Sequence, residues 1–309
     1  MTRVHRTVLA LLAVGMAAAG ASGCGSNAGG SGEIPTTGGP GSRLVDASRP
    51  PFIVGFAVDP GNGSFVLATN KGLYEVPKEG GRETNLRSAV KAGTRNGPFG
   101  KEVSGLAFSG PGKLLGSGHP DAGGGELPGF LGLISSDDGG RTWDTISRSG
   151  LSDLHVLLVK DPRIDAFDAT LGGVIISDDG GKTWKEHSTP VGAVFDMAVD
   201  PSNPRTILAA TGEALFVSTD EGDKWKKIEP ADQARLSWTP KRLVRAVAGT
   251  KQVSTSTDGG KTWTPVGKLP RDPGKLVEGP DGTLYAALDD GAIVKSADGG
   301  KTWDTVYVP

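Results

Sequence analysis

The sequence has almost no cysteine: Cys24 is the only one in 309 residues. One thiol cannot form an internal disulfide, so the chain is not a disulfide-stabilised scaffold. Aromatic residues are also scarce, at 6%, and the formal net charge is only −2. Without an excess of basic residues the chain lacks the positive face that nucleic-acid binding requires, so we expect no nucleic-acid partner.

Long hydrophobic runs are absent after the first 24 residues, and no later stretch has the period of an amphipathic helix. The chain has instead short runs of Val, Ile, Leu and Thr between clusters of Gly, Pro, Asn and Asp, and it contains 49 glycines. Such runs, bounded by turn-forming residues, predict many short β-strands joined by tight turns. The fold class that we expect is therefore all-β.

The first 23 residues have the features of an export signal. The basic start MTRVHR precedes the apolar run TVLALLAVGMAAAG, which is shorter than the apolar stretch that a membrane-spanning helix needs. The Ala-Ser-Gly-Cys that follows resembles a bacterial lipobox, with Ala21 where leucine is usual. The resemblance implies a lipoprotein signal peptide over 1–23, a lipid on Cys24 and anchoring at the outer surface of the bacterial cell membrane. An ordinary signal cleaved nearby, with Cys24 incidental, is the alternative.

Residues 24–50 predict a lipidated cysteine followed by a flexible tether. The segment GSNAGGSGEIPTTGGPGS (25–42) is rich in Gly, Ser, Thr and Pro and has no apolar period. Its burial would not offset the entropy lost on ordering it. We therefore expect the folded domain to begin near residue 51 and to extend to residue 309.

A short acidic phrase that ends in tryptophan occurs five times. SSDDGGRTW (135–143) is its first copy, and the successive tryptophans are 41, 41, 38 and 40 residues apart. A repeat of about 40 residues with several strands per unit is typical of a β-propeller. The paired aspartates and tryptophans of the five copies are Asp138 and Trp143, Asp179 and Trp184, Asp220 and Trp225, Asp258 and Trp263, and Asp298 and Trp303.

The units align beyond the phrase itself. Residues 194–228 are predicted to form three strands, the acidic corner and a fourth strand. Residues 52–76 match the first three strands, but the corner after them, PKEGG, retains only the glycines. Counting all copies gives six units. We predict a six-bladed β-propeller of four-stranded antiparallel blades, since six blades stacked in a closed ring cover the sheet faces that one blade leaves exposed.

The acidic phrase itself predicts a structural corner. Asp-Gly and Gly-Gly supply the positive φ values of tight hairpins, the aspartate can accept backbone N–H groups across the loop, and the tryptophan can pack between blades. A calcium loop is the alternative, but it needs carboxylates at alternating positions and a distal glutamate, which no copy has. The third copy differs, with Lys224 where the others have threonine. We expect no metal and no cofactor.

Ser-x-Asp-x-Gly-x-Thr-Trp repeated at this spacing resembles the Asp-box, or BNR, repeat, and the resemblance covers residues 52–309. It implies a propeller whose boxes lie on the face away from the substrate pocket. Sialidases, other glycoside hydrolases, sortilin-type receptors and photosystem assembly factors share the repeat. SGHP (117–120) and SDLH, which ends at His155, further resemble small bacterial Asp-box lipoproteins classed as glycosyl hydrolases. Their first-unit histidines are replaced here by Ile53 and Asn70.

Strand counting places several polar residues on the rim opposite the boxes. His119 ends the second strand of unit two, and His155 begins the inner strand of unit three. The intervening loop is longer than its counterparts, and long loops on rigid scaffolds often carry function. The ligand-binding candidates are His119, Asp121, Asp153, His155 and Asn70, with Glu213, Asp289 and Asp290 on the same rim. Two unrelated surface histidines are the alternative.

Two classes of function fit these features. We expect a non-catalytic, lipid-anchored and monomeric module that binds an envelope protein, a glycan or a small ligand. The alternative is a glycoside hydrolase, a sialidase-like exo-glycosidase with its site on the face opposite the Asp boxes. Glycoside hydrolysis needs two carboxylates or, in sialidases, a tyrosine nucleophile and three arginines. Tyr74 and Tyr285 lie within predicted strands, Tyr307 is near the end of the chain, and no arginine triad is evident. The sequence leaves the catalytic residues unassigned.

Overall fold

A computed structural model describes residues 53–86, 89–92, 95–120, 127–190, 192–229 and 233–309. For residues 89–92 and 95–102 the description covers the backbone alone. The predicted signal peptide, Cys24, the tether and Asp121 lie outside the described residues. Within these residues, no helix has the length and hydropathy of a membrane span.

The described residues form 25 strands. They are, in chain order, β1 (Ile53–Val58), β2 (Phe65–Thr69), β3 (Gly72–Val76), β4 (Thr84–Asn85), β5 (Ala89–Ala92), β6 (Arg95–Gly110), β7 (Lys113–Pro120), β8 (Leu133–Ser136), β9 (Thr142–Ser147), β10 (Leu154–Lys160), β11 (Arg163–Asp168), β12 (Gly173–Ser177), β13 (Lys185–Glu186), β14 (Val194–Val199), β15 (Ile207–Thr211), β16 (Leu215–Ser218), β17 (Lys226–Glu229), β18 (Ala234–Thr239), β19 (Arg242–Val247), β20 (Gln252–Ser256), β21 (Thr264–Lys268), β22 (Pro273–Glu278), β23 (Leu284–Leu288), β24 (Ile293–Ser296) and β25 (Asp304–Tyr307).

These strands build six blades, which confirms the predicted six-bladed propeller. Five blades are four-stranded antiparallel sheets whose strand order follows the chain: β1–β4, β10–β13, β14–β17, β18–β21 and β22–β25. The first strand of each blade is the innermost, because the first strands of neighbouring blades contact one another. Each blade has buried apolar side chains on both of its faces, so a neighbouring blade must cover each face.

The second blade differs from the four-stranded prediction, because it carries an extra outer strand. β5 pairs in parallel with β9, with Val90 opposite Trp143, and pairs antiparallel with the start of β6. The segment between the first and second blades is long enough to fold back along the outer edge. Trp143 is fully buried in this blade, whereas the other four box tryptophans are half-buried.

The box tryptophans pack between blades, as predicted. Each joins the hydrophobic cluster that its blade forms with the preceding one: Trp184 packs with the cluster of the second and third blades, and Trp225 with that of the third and fourth. Trp263 and Trp303 occupy the same place at the next two interfaces. Each of the five boxes therefore contributes one tryptophan to a different blade interface, and five of the six interfaces contain one.

The sixth interface closes the ring without a box tryptophan. Phe56 and Phe65 of the first blade pack there against Tyr285 and Tyr307 of the last blade. The centroids of Phe65 and Tyr285 are 5.0 Å apart in an edge-to-face arrangement. Within the described residues the first and last blades share no strand, so side-chain packing closes the ring.

The acidic corners form one repeated hydrogen-bond network. In the box between β20 and β21 of the fifth blade, Asp258 Oδ1 accepts the Thr262 N–H at 2.9 Å, and Asp258 Oδ2 accepts the Thr262 hydroxyl at 2.6 Å. The Ser256 hydroxyl donates to Asp258 and accepts the N–H of Gly260. Hydrogen bonds from Thr262 lower the pKa of Asp258 to about 2. The corner satisfies its own carboxylate, which supports a structural role.

The third box lacks one of these contacts. Lys224 replaces threonine, so Asp220 Oδ1 accepts the Lys224 N–H at 2.9 Å but no hydroxyl is present at this position. Glu221 takes the place of the first glycine and has a positive φ of 65°. Its carboxylate binds Arg163 at 3.1 Å, so this corner exchanges a threonine contact for an ion pair to the neighbouring blade.

Candidate functional site

The predicted rim residues lie where the inner strands begin and where the second strand of each blade turns into the third. The box corners lie at the other end, as their contacts show. The N–H of Gly139 donates to the Gly112 carbonyl at 3.0 Å, and that of Gly180 to the Pro162 carbonyl at 2.9 Å. Gly112 and Pro162 belong to turns between first and second strands. The rim and the boxes therefore occupy opposite faces.

Two strands place the polar side chains of the site. Leu154 is buried between the second and third blades, and the pairing of β10 with β11 shifts register between Leu154 and Val156, so β10 has a β-bulge at His155. The N–H of Leu154 donates to the Ser117 hydroxyl at 3.0 Å. His119 lies two residues beyond Ser117 on β7 and therefore on the same side of that strand.

Asp153 joins the two histidines. Its Oδ2 atom lies 2.7 Å from Nε2 of His155 and 3.3 Å from Nε2 of His119. Its Oδ1 atom accepts the hydroxyl of Ser104. The structure thus brings together three of the predicted candidates from two neighbouring blades, and we call Ser104, His119, Asp153 and His155 the histidine–aspartate cluster.

The electrostatics of the cluster fix Asp153 as a carboxylate. Burial by itself raises the pKa of Asp153, but hydrogen bonds from His119, His155 and Ser104 outweigh it and hold that pKa well below its usual range. The Asp153 side chain is only 10% exposed, whereas those of His119 and His155 are 32% and 40% exposed. The imidazoles are therefore the part of the cluster that a ligand can reach.

The other candidates lie apart from this cluster. Asn70 is buried in the turn between β2 and β3 of the first blade. Glu213 lies in the turn between β15 and β16. Asp289 and Asp290 each contact Arg271 at 3.0 Å on the last blade. Binding at any of the candidates stays a prediction.

One cluster residue, Ser104, and the adjacent Phe130 were not among the predicted candidates. Ser104 lies seven residues before Pro111, and His155 lies seven residues before Pro162, so the two occupy the same position in neighbouring blades. Counting back from the turn proline would have found Ser104. Phe130 packs edge-on to His119 at 5.2 Å, and it follows a loop whose course the sequence pattern does not give.

The histidine–aspartate cluster offers hydrogen-bonding groups and no described metal site. The described part of the chain has no group of three or more His, Cys, Asp or Glu side chains that could hold an ion. His187 follows β13, the outer strand of the third blade, and binds Asp223 at 2.7 Å. The exposed imidazoles can donate to or accept from polar ligand groups, since each ring has two nitrogens.

A cavity of about 610 Å³ lies in the central channel, away from this cluster. All six inner strands line it, with the turns that follow several of them, so it extends toward the box face. Its charged lining includes Asp165, Asp196, Lys275 and Glu278. Nothing in the repeat pattern predicts this cavity.

The tyrosines do not form a sialidase-like centre. Tyr285 and Tyr307 are buried in the interface between the last and first blades, and Tyr74 packs against the same cluster. Burial raises the pKa of Tyr285 and of Tyr307. All three serve ring closure.

Comparisons with known proteins support the fold. The BNR/Asp-box repeat family matches residues 175–186 and 254–265, which are two of the five boxes. No curated protein sequence matches the chain. The chain therefore carries BNR/Asp-box repeats in a six-bladed propeller.

Solved structures with the same architecture are distant in sequence. A chain of a nidogen/laminin complex is 13% identical, with a TM-score of 0.56 over 80% of this chain and 93% of that one. An ancestral GH74 enzyme is 15% identical, with a TM-score of 0.52 over 82% of this chain and 38% of that one. The extracellular domain of BT4673 from B. thetaiotaomicron is 13% identical, with a TM-score of 0.51 over 81% and 39%. This chain spans about two fifths of the last two proteins, and the likeness shows the fold alone.

Proposed function

We propose that this Asp-box propeller is a non-catalytic binding module of the bacterial cell envelope, which holds a protein or glycan at the histidine–aspartate cluster. The observation that carries the proposal is the hydrogen bonding of the Asp153 carboxylate. Both of its oxygens are occupied by hydrogen bonds from the protein itself. Such a carboxylate orients its neighbours and is not available to a substrate.

The pKa of Asp153 points in the same direction. A general acid at neutral pH needs a raised pKa, and that of Asp153 is lowered. The ionised carboxylate instead fixes the two imidazoles beside one another, each half-exposed at the rim. Oriented imidazoles beside the ring of Phe130 provide polar contacts and an apolar contact, a combination suited to binding without chemistry.

The anchor completes the proposed function. Cleavage of residues 1–23 and lipid on Cys24 would leave the tether between the membrane and the propeller, at the outer surface of the cytoplasmic membrane. Mass spectrometry of the N-terminal peptide tests this directly. A diacylglyceryl modification on Cys24, lost in Cys24→Ser, is the expected result, and an unmodified Cys24 in the mature protein would contradict it.

Binding is tested with the full chain immobilised through a C-terminal tag. Solubilised envelope proteins and a glycan array are applied to the parent protein, His155→Ala and His187→Ala. The two variants are matched, since each removes an imidazole that is hydrogen-bonded to an aspartate at 2.7 Å. We expect His155→Ala to weaken capture by about tenfold or more and His187→Ala to leave it unchanged. Equal effects of the two variants would argue against the cluster.

A glycoside hydrolase is the second candidate, and one observation favours it. Asp165 lines the channel cavity, and burial raises its pKa, as a catalytic acid requires. Arg163, however, binds Asp165 through Nε at 3.0 Å and through Nη2 at 2.8 Å. Turnover of a panel of chromogenic glycosides that is lost in Asp165→Asn would establish this candidate over the binding module.

A further inference from the structure

The channel cavity, called the chamber below, has an ion pair at one end. Asp196 on the fourth blade lies beside Lys275 on the sixth, with 3.3 Å between Oδ1 and Nζ. Its other oxygen, Oδ2, accepts the N–H of Leu236 on the fifth blade at 3.0 Å. The Asp196 side chain is only 5% exposed, so this contact joins three blades at the inner end of the chamber.

The walls between that end and the box face are largely apolar. Half-buried hydrophobic side chains from five different blades line the chamber: Phe108, Leu158, Val199, Trp238 and Val277. The volume of about 610 Å³ falls within the range of roughly 300–1,000 Å³ that is usual for small-molecule sites. The chamber therefore has the size and lining of a ligand pocket.

The mouth of the chamber is made of turns that contain proline. Every turn between a first and a second strand has one, and the ring comprises Pro60, Pro111, Pro162, Pro201, Pro240 and Pro280. Four of these six line the chamber: Pro60, Pro201, Pro240 and Pro280. Proline fixes the turn backbone and presents an apolar ring, so these turns are stiff and add apolar surface to a mouth that Lys160 and Asp200 also line.

Seven charged side chains line the chamber: Lys160, Arg163, Asp165, Asp196, Asp200, Lys275 and Glu278. Along the walls, Asp165 is paired with Arg163, and Glu278 is paired with Arg242 at 3.1 Å. At the inner end, Lys275 contacts Asp196, and a second cation, Arg235, lies behind the chamber wall, where it donates to the Gly274 carbonyl. An ammonium group has three N–H donors, and the Asp196 contact uses one of those of Lys275.

We infer that the chamber binds a small amphiphilic organic anion, whose carboxylate or sulfonate group meets Lys275 while its apolar body lies along the walls toward the proline mouth. A second cation beside one carboxylate favours an anion over a cation at this end. The site lies on the face opposite the histidine–aspartate cluster and does not depend on the proposed function.

The first test compares head groups on one apolar tail. The probe is the fluorescent anion anilinonaphthalene sulfonate, bound to the full chain carrying Cys24→Ser, so that no lipid or detergent competes. Decanoate, decanol and decylammonium are then used as competitors. We expect decanoate to displace the dye about tenfold better than either of the others. Displacement by decylammonium as strong as by decanoate would overturn the inference.

Variants then locate the site. Lys275→Met keeps the length of the side chain and removes its charge, and Lys226→Met on the exposed outer strand β17 is the matched control. Lys275→Met should abolish the preference for decanoate, and Lys226→Met should retain it. Ser237→Phe fills the chamber from its half-buried wall and should reduce dye binding by about tenfold or more.

Two further measurements keep the test decisive. His155→Ala should leave dye binding unchanged, which separates this site from the proposed partner site. Where Lys275→Met fails to fold by circular dichroism, the head-group comparison on the parent and Ser237→Phe decide the question alone. Dye binding that is unaffected by Ser237→Phe would place the dye elsewhere and overturn the inference.

Discussion

Tyr285 of the last blade lies edge-on to Phe65 of the first, with 5.0 Å between the ring centroids. Both side chains are almost completely buried, at 2% and 0% exposure. The pair occupies the interface at which no box tryptophan is present. An aromatic contact between Phe65 and Tyr285 thus fills the one interface to which no box contributes a tryptophan.

Truncation of this contact should destabilise the whole ring. Tyr285→Ala is expected to lower the free energy of unfolding by about 3–5 kcal/mol, because it leaves a cavity at the closing interface. Tyr285→Phe keeps the ring and should cost less than about 1.5 kcal/mol. Urea unfolding followed by tryptophan fluorescence measures both, and a small loss for Tyr285→Ala would show that the ring closes by other contacts.

The box tryptophans should differ in their contribution to stability. Trp143 is fully buried beside the extra strand β5, whereas Trp184 is half-buried. Trp143→Ala should cost about 3–5 kcal/mol, and Trp184→Ala should cost less because less apolar surface is lost. Thermal unfolding of the two variants provides the comparison, and an equal cost would mean that β5 adds nothing to the burial of Trp143.

The boxes should make the free energy of unfolding depend on pH in the acidic range. The pKa of Asp258 is lowered from 3.8 to about 2 on folding, so its contribution is complete above about pH 4 and is lost as the pH falls toward 2. Asp258→Asn should therefore be less stable than the parent at neutral pH, with a difference that shrinks toward pH 2. Urea unfolding at several pH values tests this. Asp304→Asn, an exposed aspartate of β25, is the control and should show no such trend.

Asp153 should contribute to stability as well as to the geometry of the rim. Asp153→Asn is expected to cost about 1.5–3 kcal/mol, because it weakens charge-assisted hydrogen bonds to a buried group. Asp223→Asn removes an aspartate that also binds a histidine, but its side chain is 62% exposed, so it should cost less than about 1 kcal/mol. Chemical denaturation of both variants near pH 7 makes the comparison, and equal costs would argue against Asp153 as the centre of the cluster.

Much of the architecture could be predicted from the sequence, because the repeat is local. Each box satisfies its own aspartate within seven residues, so copies such as that of Asp258 could be recognised one at a time. The meeting of His119 and His155 followed from strand counting, since both positions are set by register within a blade. Register has a period of two and is therefore readable from the pattern.

The parts that escaped prediction depend on contacts between distant segments. The strand β5 has no counterpart in the other units, so no repeat pointed to it. The chamber exists because side chains from six strands, among them Phe108 and Trp238, leave space between them across the ring. The link between Asp196 and Lys275 joins residues 79 positions apart, and nothing local marks either partner.

The packing between the first and last blades has a consequence for how such a chain can be rearranged. Every described blade is a contiguous stretch of sequence, and no described main-chain hydrogen bond ladder crosses from β25 to β1. A circular permutant that joins the old termini through a linker and opens the chain between two other blades would keep each of those ladders intact. Duplication of one blade-sized segment would likewise lengthen the ring without breaking any existing sheet.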